Sequence, residues 1–411
     1  MSNSIRLSER ISSIDTIRGF ALLGLLTMNL VGMSMPMAAY LSPLAFRADE
    51  PLNDVIFSVF FIFADQKFMG MFSLLFGASI LLLIERLQAK GEKTLGLHYR
   101  RNFILLLIGL LHAAFLWEGD VLMIYGFCAL FLYPLNKSSP WVLATIAFVL
   151  LAAASYSAGG LNEKMASMDA ESLANIKAYL RPTAETLAAI KQNYSGSFQE
   201  VSDYRLGLEE EGDSGTIEID LILLLSSFYR ALGMMCLGMA LYKWQYLQGK
   251  LALATYKKVS ITGLSIGLPL AVTAWYLGQS TSWSVESYFA YWGIMPLNIL
   301  ASLALVLTYV SAIILLCRYQ WALPFQKRVQ ALGQTALSNY LLQSLIGTTI
   351  MYGYGFGMWG ELARWQLVLL MFAIWSLQLY LTPLWLRYFR QGPVEYIWRC
   401  LSYLSIPAIR R

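Results

Sequence analysis

Residues 100–126, RRNFILLLIGLLHAAFLWEGDVLMIYG, decide the fold. Two arginines give way to apolar and small residues, 103–117, interrupted by one histidine; an acidic break at 118–120 follows, and a second apolar run begins. In a hydrocarbon core about 30 Å thick such a run is stable as a helix, which satisfies its own backbone hydrogen bonds where water is absent. The break then reads as the turn of a hairpin.

Runs of this kind recur along the chain. They predict helices near 16–38, 66–87, 101–118, 121–136, 140–158, 219–242, 258–278, 296–317, 332–354 and 364–388. The 411 residues are 57% hydrophobic and 13% charged, so much of the apolar surface must face lipid rather than a soluble core. The expected fold is all-α: a polytopic membrane bundle of about ten transmembrane helices, with the lipid bilayer as its first partner. The first run is too long for a signal-peptide core and reads as an uncleaved helix. Leu52 to Phe63 is too short to span and is expected as a re-entrant or interfacial segment.

Charge sets the orientation. With both termini cytoplasmic, the basic groups Arg86 to Arg101, Lys137, Lys243 to Lys258, Arg318 to Arg328 and Arg387 to Arg411 all fall on one side. The other side receives Asp49, Glu50, Asp54, Glu118, Asp120, Glu286 and the polar segment 160–218, whose eleven acidic residues outnumber five basic ones. That segment divides the chain into bundles 1–159 and 219–411, and reads either as a lid or as a solvated spacer. The expected location is the inner membrane of a bacterial cell, crossed many times. The net charge of +5 lies at helix ends, which argues against a nucleic-acid partner. Four scattered cysteines and two histidines offer no metal-ligand spacing, so no metal is expected. No P-loop, dinucleotide glycine pattern or serine elbow is present, and no tightly bound cofactor is expected.

A strongly polar side chain inside a span costs about 2.5 to 3.5 kcal/mol on insertion scales, so each needs a partner or a task. Arg18, Asn29, His112, Arg230 and Gln343 fall on four helices, and all but Arg18, which stands at the membrane edge, are about halfway across at roughly 1.5 Å per residue. His112, beside the small face of Gly109 and Ala113, is the candidate general base, because imidazole titrates near neutrality. Asp120 or Glu118 would orient it; the alternative is a histidine merely hydrogen-bonded in the bundle. Arg230 calls for an anion, a wet cavity, or a structural pair with an acid such as Asp120. Arg18 either pairs with Asp15 three residues before it or receives phosphate groups. Asp65 and Lys67 flank the start of the second helix and are expected to line the outer mouth, and Asn339 and Gln343, four apart, serve as interhelical glue or as amide donors and acceptors to the interior. Tyr352, Tyr354, Trp359 and Trp365 read as an interfacial aromatic belt.

Five longer strings carry a family resemblance: RISSIDTIRGFALLGLLTMNL (10–30), FADQKFMGMFSLLFG (63–77), SFYRALGMMCLGMALYK (227–243), LGQTALSNYLLQS (332–344) and GPVEYIWRCLSY (392–403), together with the hairpin above. From Arg10 to Tyr403 the chain resembles the YeiB family of bacterial membrane proteins, a domain of unknown function numbered 418. Through Arg10, Ser13, Asp15, Arg18 and Gly19 its opening is also similar to a wider transmembrane acyltransferase superfamily that includes heparan glucosaminide acetyltransferases. That likeness implies transfer of an acyl group from cytoplasmic acyl-CoA to a hydroxyl or amine, on a small molecule, glycan or lipid, at the far side. The heparan enzymes carry their catalytic histidine between the first two helices. The stretch Ala38 to Lys67 has none, and His112 is left for that role.

The expected function is therefore an inner-membrane acyltransferase using acyl-CoA as co-substrate, with His112 and Asp120 catalytic. Arg18, Asn29, Lys67, Arg230, Asn339 and Gln343 would bind donor and acceptor, with a homodimer as a candidate assembly. The alternative is a transporter of a small anionic or amphipathic solute, using Arg230 for the anion and His112 or Asp120 for proton coupling.

Overall fold

The computed structural model describes residues 12–207 and 214–411; Arg6 and Arg10 of the basic N-terminal stretch, and 208–213 of the polar segment, lie outside the described residues. The chain opens with α1 (Ser12–Ser34), a turn of helix α2 (Ala38–Leu41), α3 (Asn53–Phe63) and α4 (Lys67–Gln88). A hairpin of α5 (Leu95–Phe115) and α6 (Leu122–Leu130) leads to α7 (Pro140–Ala166). The polar segment supplies α8 (Ala170–Leu180), α9 (Ala184–Tyr194) and α10 (Phe198–Arg205). There follow α11 (Ser214–Lys243), α12 (Leu253–Ser280), the short α13 (Val285–Tyr288), α14 (Ile294–Arg318), α15 (Leu323–Gln334), α16 (Ala336–Met351), α17 (Arg364–Tyr388) and α18 (Pro393–Tyr403).

Among the described residues, seven helical elements are long and apolar enough to cross a membrane: α1, α3 with α4, α7, α11 from Leu221, α12, α14 and α17. Three segments expected to span are built differently. In α5 the first turns hold His98, Arg100 and Arg101; α6 has 9 residues and α16 has 16. All three still present exposed apolar side chains, among them Phe103, Leu107, Leu111 and Phe115 on α5, Phe127 on α6 and Leu345 on α16. Residues 53–63 of the stretch expected as re-entrant or interfacial are helical. They make α3, which enters α4 through a break at Ala64–Gln66, with Gln66 at φ 66°, giving one discontinuous element of 36 residues.

Hydrogen bonds gather the basic loops at one end of the bundle. Lys243 donates to the carbonyls of Asn136 (2.7 Å) and Ser138 (2.6 Å), Arg318 to Gly249, and Arg100 to Ser402. We call this the basic face. At the opposite face the polar segment is stitched to the interhelical loops: Gly353 N–H donates to Tyr194 O (2.8 Å), and Lys177 pairs with Glu286 (2.8 Å). Tyr352 and Trp359, 0% and 2% exposed, are buried there against Tyr194, whose ring stacks on Trp359 at 4.8 Å, so they form a core cluster rather than a lipid-facing belt.

Two devices set the packing. The α4–α11 crossing is so close that a Cβ on Gly238 would lie 1.8 Å from Leu74 O, and one on Gly77 2.1 Å from Met235 O. Glycine is needed because backbone, unlike a side chain, has no other rotamer to adopt. The second device is Glu395 of α18. Its carboxylate accepts from the amides of Leu337 (2.7 Å) and Ser338 (3.1 Å) and from the Ser338 hydroxyl. These amides are the unsatisfied first donors of α16, where a negative charge is favoured.

Two outcomes follow. Gly238→Ala should destabilise the detergent-solubilised protein by about 1–3 kcal/mol through overpacking, whereas Gly96→Ala, at a site with open space, should leave the melting temperature within a degree or two. Glu395→Ala should remove the cap of α16 at a cost of about 0.5–2 kcal/mol and raise hydrogen exchange across α18, while Glu395→Gln, which keeps an acceptor oxygen, should leave exchange close to wild type.

Candidate functional site

His112 lies eleven residues beyond Arg101, about 16 Å along α5 at ~1.5 Å per residue. Its Nδ1 is 2.8 Å from Asp120 Oδ1, and both side chains are all but completely buried, at 1% and 0% exposure. The hairpin makes this pair. Gly109 lets α6 approach α5 until a Cβ there would lie 2.3 Å from Met123 N and 2.8 Å from Asp120 Oδ2. Asp120 Oδ2 accepts from Met123 N (2.6 Å), which fixes the carboxylate at the start of α6. With Asp120 accepting from Nδ1–H, the proton stays on Nδ1 and Nε2 presents its lone pair. Nε2 is buried without a hydrogen-bond partner. A buried polar atom left open in this way costs about 1–3 kcal/mol.

Above the dyad, Arg205 at the end of α10 donates to the carbonyls of Ala114 (3.0 Å) and Leu116, and reaches Glu118 at 3.5 Å. The polar segment thus roofs the end of α5 that carries His112. Glu118, the other carboxylate considered for the imidazole, points to Arg205 and Tyr194 instead.

Below the dyad lies a cavity of about 550 Å³, in the size range of small-molecule sites. It reaches the surface at the exposed Ala89 and Lys90 on the basic face, and its inner wall includes Leu105, Leu122, Tyr125 and Tyr340. The Tyr340 ring is 5.2 Å from that of His112. The lining carries five cationic side chains, Arg18, Arg86, Lys90, Arg101 and Arg399, against the carboxylates of Asp15 and Glu395. Arg18 donates to Asp15 (3.2 Å), to Gly333 O (3.3 Å) and to Ser79 Oγ (2.7 Å). Burial pulls the Arg399 guanidinium below the usual arginine range.

A second polar cluster occupies the break between α3 and α4. Asn298 donates to Asp65 (2.6 Å), while Lys67 donates to Asn298 Oδ1 (2.5 Å) and to Phe61 O (2.9 Å). Lys67 is 0% exposed, so it stands inside the bundle and not at an open mouth. Arg230, 8% exposed, lies within electrostatic reach of Asp65, Tyr40, Tyr125 and Tyr288, and its Nε has no partner. It makes no pair with Asp120 within 4 Å; its nearest acid in charge terms is Asp65. Tyr125 joins the two regions, since it lines the cavity and bonds Ser73 (2.7 Å) and Met69 O (3.0 Å).

The remaining predicted residues lie apart from the cavity lining. Gln343 donates to Gln378 (2.9 Å), Gln378 to Asn339 O (2.9 Å), and Thr382 to Asn339 Oδ1 (3.1 Å), tying α16 to α17. Asn29 is buried on α1. Residues that the sequence did not single out complete the site: Tyr340 beside the imidazole, Asn298 between Asp65 and Lys67, and Trp398, whose indole N–H donates to Arg101 O (2.8 Å) while its ring faces the Arg101 guanidinium at 3.7 Å. The one signal for the last was the pairing of aromatic and arginine in the amphipathic stretch 393–403.

The family described as Protein of unknown function (DUF418) matches residues 241–405, from the end of α11 through α18. The uncharacterized protein YeiB of Escherichia coli (strain K12) is 29% identical over 98% of this chain and 99% of its own length. The uncharacterized protein YxaH of Bacillus subtilis (strain 168) is 28% identical over 97% of this chain and 95% of its own. No solved structure matches the chain. One match covering the C-terminal helices and two relatives aligned nearly end to end support a place for the chain in the YeiB-like DUF418 family.

Proposed function

We propose that the protein is an acyltransferase of the bacterial plasma membrane, in which His112 activates a hydroxyl or amine acceptor against an acyl thioester such as acyl-CoA. The observation that carries this reading is the cavity itself, which begins among cations and ends at Tyr340, beside an imidazole whose Nε2 is free to take a proton. The positive-inside rule makes the basic face cytoplasmic, so both termini and the donor share that side. A carboxylate-oriented histidine is the standard means of activating a weak nucleophile.

In the reaction, Nε2 removes the acceptor proton as the acceptor oxygen or nitrogen bonds to the thioester carbonyl carbon. The C–S bond then breaks, and the imidazolium returns its proton to the leaving thiolate. Asp120 holds the tautomer and balances the imidazolium charge. Arg18 meets the donor's anionic end, and Arg230 with Lys67 faces the side from which an acceptor would come.

One observation favours a second reading, an anion transporter: the α3–α4 break places Asp65, Lys67 and the open Nε of Arg230 together within the bundle, as discontinuous helices do at transporter sites.

Protein reconstituted in liposomes with acetyl-CoA, longer acyl-CoAs and a panel of sugars, lipids and amines is assayed for free-thiol release. The expected result is acceptor-dependent release that falls about 10²–10⁴-fold in His112→Gln and is also lowered in Asp120→Asn. Release unchanged in correctly inserted His112→Gln would sink the reading. Anion flux that is lost in Arg230→Gln but intact in His112→Gln would select the transporter.

A further inference from the structure

Three guanidiniums on three separate elements, Arg18 of α1, Arg101 of α5 and Arg399 of α18, line the same cavity. The Arg101 charge lies within reach of both the others. Like charges gathered in a half-buried mouth repel one another, and the available carboxylates relieve little of this. Asp15 is spent on Arg18, and Glu395 on the first amides of α16. Among the described residues, neither Arg101 nor Arg399 has an ion-pair partner within 4 Å.

Both are nevertheless held in place. The Arg101 guanidinium carbon lies over the Trp398 ring, 3.7 Å from its centre, and that of Arg399 over the Tyr403 ring at 5.4 Å. The indole bond to Arg101 O ties α18 to α5. A cation–π contact positions a guanidinium without using up its N–H donors, which suit two-pronged recognition of phosphate oxygens. Two uncompensated arginines and a third that is half-neutralised match a ligand of two to three negative charges on adjacent groups.

We propose that Arg18, Arg101 and Arg399 form a phosphate-binding site specific for a diphosphate-bearing ligand, clamped between α5 and α18. The inference rests on the acyltransferase reading only in naming which cavity the donor head would fill; the site stands on its own geometry. The same chemistry is offered by a soluble diphosphate ester and by the headgroup of a phosphate lipid, which can enter from the basic leaflet.

The test uses full-length protein in neutral detergent at constant ionic strength, with calorimetric binding of inorganic pyrophosphate, ADP and coenzyme A, and a parallel titration with short-chain phosphatidate. Saturable binding of pyrophosphate and the two nucleotides is expected, weakened about tenfold to a hundredfold by Arg101→Gln or Arg399→Gln. Arg101→Lys should restore little of it, since charge without the fork is insufficient, and Lys258→Gln on the exposed start of α12, outside the cavity lining, should change it by less than about threefold. Mass-spectrometric phenylglyoxal labelling of the wild type supplies a readout independent of variant folding, and pyrophosphate should protect Arg101 and Arg399. Phosphatidate binding with no response to the soluble ligands would overturn the diphosphate assignment and leave a lipid monophosphate site. Diphosphate binding without any acyl transfer would keep the site and end the acyltransferase reading. No protection of either arginine and no binding of any phosphate would overturn the inference.

Discussion

A polar side chain drawn into hydrocarbon has no water to turn to, so the helix that answers it is fixed in place. This requirement organises the whole bundle. Lys67 is answered by Asn298 and by the last carbonyls of α3, and Asp65 by the same asparagine, which pins α14 against the break. Arg364, 3% exposed at the start of α17, donates to Asn53 (2.7 Å) and to Ala39 O (2.6 Å), binding that helix to α3 and α2. Gln343 and Gln378 join α16 to α17 in the same way. Apolar packing alone, which lipid matches nearly as well, would leave these helices free to slide.

The groups left unanswered stand out against that background. Of the buried polar atoms without partners among the described residues, His112 Nε2, Arg230 Nε and Gln66 Oε1 lie in or beside the two polar clusters, while others, such as Ser155 Oγ and Trp283 Nε1, lie elsewhere in the bundle. Tyr125 connects these clusters, with its hydroxyl bonded within α4 and its ring on the cavity wall. Tyr125 therefore stands between the cavity and the charge of Arg230. Such a link suits a reaction whose partners approach from opposite faces, and explains why enzyme and transporter readings draw on overlapping residues.

Part of the site was open to reading from the chain. His112 and Asp120 are eight residues apart across one tight hairpin, so their meeting is a local matter, set by the small face at Gly109. Arg18 and Asp15 share a helix face in the same way. The partners of Lys67 and Asp65 were hidden because Asn298 lies more than two hundred residues away. Trp398 and Arg399 stand in the string 392–403 that carries the family resemblance, and nothing in its local pattern tells that Glu395 seats α18 on α16 and turns its aromatic face toward Arg101. The α3–α4 element was divided at the right place, but its break, with Gln66 at positive φ, and the packing of Asn298 against it were not legible, since a short apolar run looks the same whether it ends or continues into a second helix.

The sequence by itself determined that this is an all-helical membrane protein, where most helices begin and end, and on which of two faces each basic cluster falls. Those properties follow from hydrophobic length and charge, which each segment carries without reference to any other. Only the tertiary structure decided which polar residues become sites. Whether an arginine is glue or ligand-binding depends on whether a carboxylate from a distant helix reaches it. That is settled by close glycine crossings and by one capping glutamate, not by anything within the arginine's own segment.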